Sequence, residues 1–178
     1  MVSLEVVAIL LSGISISVSL FYYANVLQNQ NKTQQMQLEN RQAQLFMNIY
    51  SRYASNEAID NEYIINKLEI KNIEDWYKLL DDPIKYRALQ WFMTYYEGIG
   101  TLVRENHVSI ELVAQMISGN IIWFWERYRG VFLVLRKDWP RMMSELEFLY
   151  DRVVEYIAES HPDVSGVSAD LLGERRTQ

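Results

Sequence analysis

The stretch WFMTYYEGIGTLVREN, Trp91–Asn106, decides how the chain is read. It is dense in aromatic residues, yet it holds one carboxylate, Glu97, beside two glycines, Gly98 and Gly100. Glycine costs about 0.5–1 kcal/mol relative to alanine inside a helix. A catalytic carboxylate is one explanation for this combination. A packing joint with a charged outer edge is another. On a helical wheel begun at Pro83, Gln90, Met93, Glu97, Thr101 and Arg104 fall on one side. Trp91, Phe92, Tyr95, Tyr96, Ile99, Leu102 and Val103 cover the rest, the wide apolar arc of a central helix with several neighbours. Glu97 therefore lies on the polar stripe, and a close helix crossing at the glycines accounts for the stretch without chemistry.

Helical signals continue on both sides. Leu45, Phe46, Ile49, Tyr50 and Tyr53 share a 3.6-residue face. Ser55 or Asn56 can cap a helix carrying Ile59, Tyr63, Ile64 and Leu68. Asn72 opens NIEDWYKLL, with Asp75 at the capping-box distance. Asp82-Pro83 is a cap followed by proline at the first helical position, opening a helix to about Asn106. Ser109 caps IELVAQMI, and Gly119 separates that segment from NIIWFWERYRGVFLVLRK. Asp138 to Pro140 restarts the chain before a last helix, RMMSELEFLYDRVVEYIAES. No run alternates with a period of two, and no internal repeat is found. The fold class is all-α, a compact helical bundle over residues 45–160.

The N-terminus reads differently. No charged residue lies between Glu5 and Lys32. The apolar run Val6–Leu27, roughly 22 residues, makes a helix of about 33 Å, enough for a hydrocarbon core. Tyr22 and Tyr23 sit near its end, where aromatic residues prefer the interface. The opening MVSLE lacks the basic n-region of a cleaved signal peptide. We therefore expect residues 1–31 to be a single-pass anchor in the cell membrane, with residues 6–27 in the lipid bilayer. Lys32 and Arg41 follow the span, so the positive-inside rule places the C-terminal domain in the cytoplasm. Gly13 and Ser17 form a small-xxx-small pair that permits close helix approach, as do Ser15 and Ser19. The competing reading has these serines bonding back to their own helix. Residues 32–44 read as a Gln-rich helical stalk, with only a hint of a coiled-coil seam at Leu38, Leu45 and Ile49. Residues 161–178 read as a disordered tail.

Composition narrows the chemistry. The 178 residues are 49% hydrophobic and 13% aromatic, ample for a core, with only 7 Gly and 3 Pro. A formal charge of -6 argues against nucleic acid as a partner. The absence of cysteine removes disulfides, thiolate metal sites and cysteine nucleophiles. Neither His107 nor His161 belongs to HExxH or ExxH, so no metal site or cofactor is expected. The GIG of the opening stretch is not a phosphate loop, and no serine sits in GxSxG. Two constellations remain. Arg127, flanked by Trp123, Phe124, Val131 and Val134, needs a partner, and Glu97 is the candidate, with the Tyr96 or Tyr128 hydroxyl in reach. The competing reading has Arg127 snorkelling to solvent. Trp123 and Trp125 are candidate walls of an aromatic ligand groove, against the plain reading that both are core.

With WPRMMSELEFLYDRVVEYI downstream, the motifs YYEGIGTLV and IIWFWERY resemble an uncharacterised family of short prokaryotic helical proteins. Its members are often membrane-anchored at the N-terminus and are described only as a domain of unknown function. The resemblance runs from about Leu45 to Ile157, and Trp123 stands where a more polar residue is expected. It implies the helical domain and the anchor, and no activity or catalytic residue. The expectation is a non-enzymatic membrane protein that binds a protein partner or itself, or serves a membrane complex. The alternative is a tethered small-molecule-binding or sensory domain. An enzyme using Glu97 with tyrosines is the third class.

Overall fold

The computed structural model describes residues 4–160, and of residues 5–10 the backbone alone. Residues 161–178, including His161 and the expected tail, lie outside the described residues. Six helices follow in order: α1 Leu4–Tyr53, α2 Asn56–Asn66, α3 Ile73–Leu80, α4 Pro83–Arg104, α5 Ile110–Leu135 and α6 Ser144–Ser160. The described residues contain no strand, so the all-α class stands. The chain divides into two units, the first ending at Arg41 and the second beginning at Gln42.

The first unit holds only the α1 segment up to Arg41. Its apolar side chains stand uncovered: Leu11, Ile14, Ile16, Val18, Leu20, Phe21 and Leu27 are all exposed. Ser17 Oγ donates to the Gly13 carbonyl (2.9 Å) and Ser19 Oγ to that of Ser15 (2.8 Å). These hydroxyls are thus satisfied within their own helix. Among the described residues no helix is long and apolar enough to cross a membrane. The expected span includes Val6, Val7, Ala8, Ile9 and Leu10, whose side chains lie outside the description.

The second unit is built around α4. This helix buries Ala88, Leu89, Phe92, Met93, Tyr96, Ile99, Gly100 and Val103. It packs on α2, α3 and α6, and α5 packs on α3 and α6. Between α4 and α5 the contact is made by large rings, Phe92 on Phe124 (6.1 Å) and Tyr96 on Phe124 (5.2 Å). Such ring pairs add about 0.5–1.5 kcal/mol each beyond the area they bury.

Local chemistry starts and stops these helices. Ser55, Asn72, Asp82 and Ser109 each accept a backbone N–H three residues on, from Ala58, Asp75, Lys85 and Leu112. Each such cap contributes about 1 kcal/mol. The reciprocal arm at Asn72 differs from a capping box, because Asp75 accepts from the Lys71 N–H instead. At the end of α4, Asn106 takes φ 57, and the His107 and Asn106 N–H groups return to the carbonyls of Leu102 and Val103. That is a Schellman closure with asparagine as the left-handed residue.

Two expected boundaries move. Gly119 does not separate two helices: α5 runs across it, and the departure from helical geometry falls at Ile117 (φ -138, ψ 15). Gly119 has open space around it, whereas Ile117 is buried, so the bend follows packing and not glycine freedom. The last helix begins at Ser144 and not near Pro140, because Met143 adopts φ 53 and breaks the helical path.

The two glycines of the opening stretch separate cleanly. A Cβ on Gly100 would lie 2.1 Å from the Glu145 carbonyl oxygen, whereas one on Gly98 would meet nothing. Gly100 is the packing joint and Gly98 is not. Gly100→Ala is expected to destabilise the second unit by about 3 kcal/mol, the upper range of overpacking costs. Gly98→Ala should stabilise it by about 0.5–1 kcal/mol. Denaturant titration followed by tryptophan fluorescence checks both, since every tryptophan lies in that unit. Equal behaviour of the two variants contradicts the assignment.

Candidate functional site

One stripe of α4 meets the start of α6. Glu97 Oε2 accepts the Leu146 N–H (2.8 Å), and the Glu145 backbone N–H also bonds this carboxylate. One turn on, Gly100 lets the Glu145 backbone come close. Another turn on, Arg104 Nε donates to Glu145 Oε2 (2.5 Å), and its guanidinium lies 3.9 Å from the Phe148 ring centroid. The residue before α6, Met143, has no side-chain oxygen and a left-handed backbone, so it cannot cap that helix. Glu97 supplies the cap from another helix, with its charge at the positive end of the α6 dipole. Arg136, at the end of α5, completes the clasp. It donates to the carbonyls of Met142 (2.8 Å) and Met143 (3.1 Å) and pairs with Glu147 (2.6 Å).

Arg127 has the mirror role. Its Nη2 donates to the Leu68 carbonyl (2.8 Å), with a longer contact to that of Asn66 (3.4 Å). The Tyr128 hydroxyl donates to the Ile65 carbonyl (3.1 Å). Together they satisfy carbonyls at the end of α2 and in the turn after it, where a cation is favoured. The expected Glu97–Arg127 pair is therefore corrected: no ion pair joins them among the described residues, and each bonds main chain at opposite helix ends. The physical reason is that a helix terminus offers several oriented donors or acceptors, where a single counter-ion offers one group. Tyr96 is also placed elsewhere, buried at 2% exposure with its hydroxyl beside that of Tyr53, which contacts Asn120.

Burial pushes the Glu97 carboxyl above its ordinary value of 4.5, and the N–H groups of Leu146 and Glu145 partly offset this. Burial likewise raises Tyr96 and Tyr128, the latter against the pull of Arg127. Trp123 and Trp125 do not line one groove among the described residues. Trp125 is core, packed on Tyr150 and Phe132, whereas Trp123 is 37% exposed with Arg127 over its ring. Two residues apart on a helix, they point to different sides.

The cavity lies elsewhere, between the end of α1 and one face of α4. Its volume is about 690 Å³. Trp91 and Tyr95 form its floor, stacked at 5.1 Å with planes 13° apart. Ile49, Ile99 and Leu102 add apolar wall, and Gly98 leaves the floor open. The Tyr95 hydroxyl donates to the Ile49 carbonyl (3.2 Å), fixing the two helices, and burial raises Tyr95 well above its ordinary range. At the rim stand Arg52 and Arg87, both exposed and in none of the ion pairs among the described residues. The Trp91 Nε1–H is buried without an acceptor, alone in this among the described side chains. The sequence carried a signal for this site: Arg87, Trp91, Thr94, Gly98 and Thr101 recur at helical spacing, mixing aromatic, cationic and small residues.

The sign of the Glu97 shift sets a pH test. Its folded pKa is raised, so the stabilising contribution is fully present below the unfolded value near 4.5 and is lost as pH rises through the folded value. Relative to Glu97→Gln, the wild-type chain is expected to lose stability across that window. Glu97→Ala, which leaves two backbone donors without an acceptor, should cost about 1–3 kcal/mol. Melting curves at several pH values measure both, and parallel pH profiles for wild type and Glu97→Gln contradict the assignment.

A family model described as a domain of unknown function, DUF4760, matches residues 5–153. The match takes in most of the chain, which belongs to that family. No curated protein and no solved structure matches it.

Proposed function

We propose that this DUF4760 protein is a non-enzymatic, single-pass membrane protein whose second unit binds a small molecule in the α1–α4 cavity. One observation carries the reading. The charged groups Glu97 and Arg127 are engaged in holding helix ends, whereas the cavity has an aromatic floor and two guanidiniums that are in no ion pair among the described residues. Its volume falls within the usual range for ligand pockets, about 300–1,000 Å³. Glu97 does not line it and is held by main chain, which speaks against acid–base chemistry there. The membrane part of the proposal rests on the uncharged run Val6–Leu27 and on the uncovered apolar side chains from Leu11 to Leu27. Lys32 and Arg41 favour a cytoplasmic second unit.

The second reading, an accessory subunit that binds a protein partner or itself, is favoured by one face of α5. Trp123 and Val134 are exposed there at helical spacing, with Gly130 between them.

Native mass spectrometry of the full chain, purified from membranes in a gentle detergent, tests the readings. A bound small molecule should accompany the wild type and be absent from Gly98→Leu, which fills the cavity floor. A stoichiometric protein retained by Gly98→Leu and lost from Trp123→Glu identifies the second reading instead. A chain carrying neither overturns both. Release of the protein from membranes by alkaline carbonate overturns the anchor.

A further inference from the structure

We infer that the α1–α4 cavity takes a small organic anion with an apolar body, its head met by Arg52 and Arg87 and its body held against the wall that Trp91, Tyr95 and Leu102 line. The inference rests on the reading of this cavity as a small-molecule site and adds the chemical class of the occupant. The register of the two helices carries it. Gln42 of α1 donates to the Asn106 carbonyl (3.0 Å), the Tyr95 hydroxyl reaches the Ile49 carbonyl, and the Tyr53 ring sits on that of Phe92 (6.2 Å). Rising numbers on α1 meet falling numbers on α4, so the helices run antiparallel. Arg52 and Arg87 therefore both lie toward the Pro83 end of the cavity, with Ile49, Gly98 and Leu102 toward the other. The cavity is polar and cationic at one end and apolar at the other, the pattern of an amphiphilic anion.

Three features fit that occupant. Two guanidiniums without carboxylate partners among the described residues offer planar, multiple N–H donors suited to a carboxylate or phosphate head. They keep this cationic end within a chain whose net charge is -6, where most other described cations are engaged locally. Trp91 and Tyr95, stacked on each other, line the cavity with Ile49, Ile99 and Leu102 and give an apolar body aromatic and aliphatic wall to contact. Gly98 sits in the helix interior with open space above it, so packing gives no reason for its missing Cβ. A side chain there would occupy the cavity floor.

The probes are 2-naphthoate, 2-naphthyl phosphate and the neutral 2-naphthamide, titrated calorimetrically into the full chain in detergent. At least one anion should bind about tenfold or more tightly than the amide, the size of a lost charge-assisted hydrogen bond. Whichever anion binds more tightly identifies the head. The preference should collapse in Arg52→Gln/Arg87→Gln, whose altered side chains are exposed. Gly98→Leu should lose binding of all three probes while keeping its melting temperature, which separates a filled cavity from a misfolded chain. Equal binding of anions and amide, with loss in Gly98→Leu, overturns the anionic class and leaves the cavity a binding site. No binding of any probe, in a chain that also carries no native small molecule, overturns both.

Discussion

The second unit depends on the contact between the middle of α4 and the first turn of α6. Backbone N–H groups at a helix start have no partner within the helix, and burying them unmet is costly. The residue ahead of α6 offers no remedy, since Met143 is apolar and left-handed. The acceptor arrives from α4 as Glu97, and it can arrive only because Gly100 lets the Glu145 main chain close in. Carboxylate, glycine and Arg104 follow at one-turn intervals, and each does a different job at one crossing. Once α6 is seated, its buried Leu146, Leu149, Tyr150 and Val153 close the core that α4 and α5 share through their rings.

That arrangement explains why charge inside the bundle does not mark chemistry. Glu97 ends one helix and Arg127 ends another, and both satisfy main chain where side-chain partners were the natural guess. Half-buried charges held this way rigidify their surroundings. The cavity beside α1 has the opposite character, with aromatic surface and two cations in no ion pair among the described residues.

Much of the fold was legible because helix ends are written in local chemistry. Ser55, Asn72, Asp82 and Ser109 could be read as caps since side chain and recipient N–H are three residues apart. The packing-joint reading of EGIG was also accessible, because glycine inside an aromatic helix demands a close neighbour or a gap. Which glycine had which was not accessible: Gly98 and Gly100 differ only in what another helix brings to them. The same limit hid the partners of Glu97 and Arg127. A wheel shows which residues share a face, and main-chain partners from distant helices leave no trace in residue type. The cavity was not legible because its wall is made jointly by α1 and α4, and their register is set by contacts such as Tyr95–Ile49 that residue type does not show.

The Glu97 clasp also distributes sequence information unevenly. It recognises N–H groups, which every residue but proline presents, so the side chains at Glu145 and Leu146 are irrelevant to that bond. That one bond is encoded on α4, at Glu97 and Gly100. On α6 this bond excludes only proline at the two donors, and the first turn is constrained by other means, the burial of Leu146 and the pairs Glu145–Arg104 and Glu147–Arg136. A change at Glu97 removes the bond outright, whatever residues α6 carries.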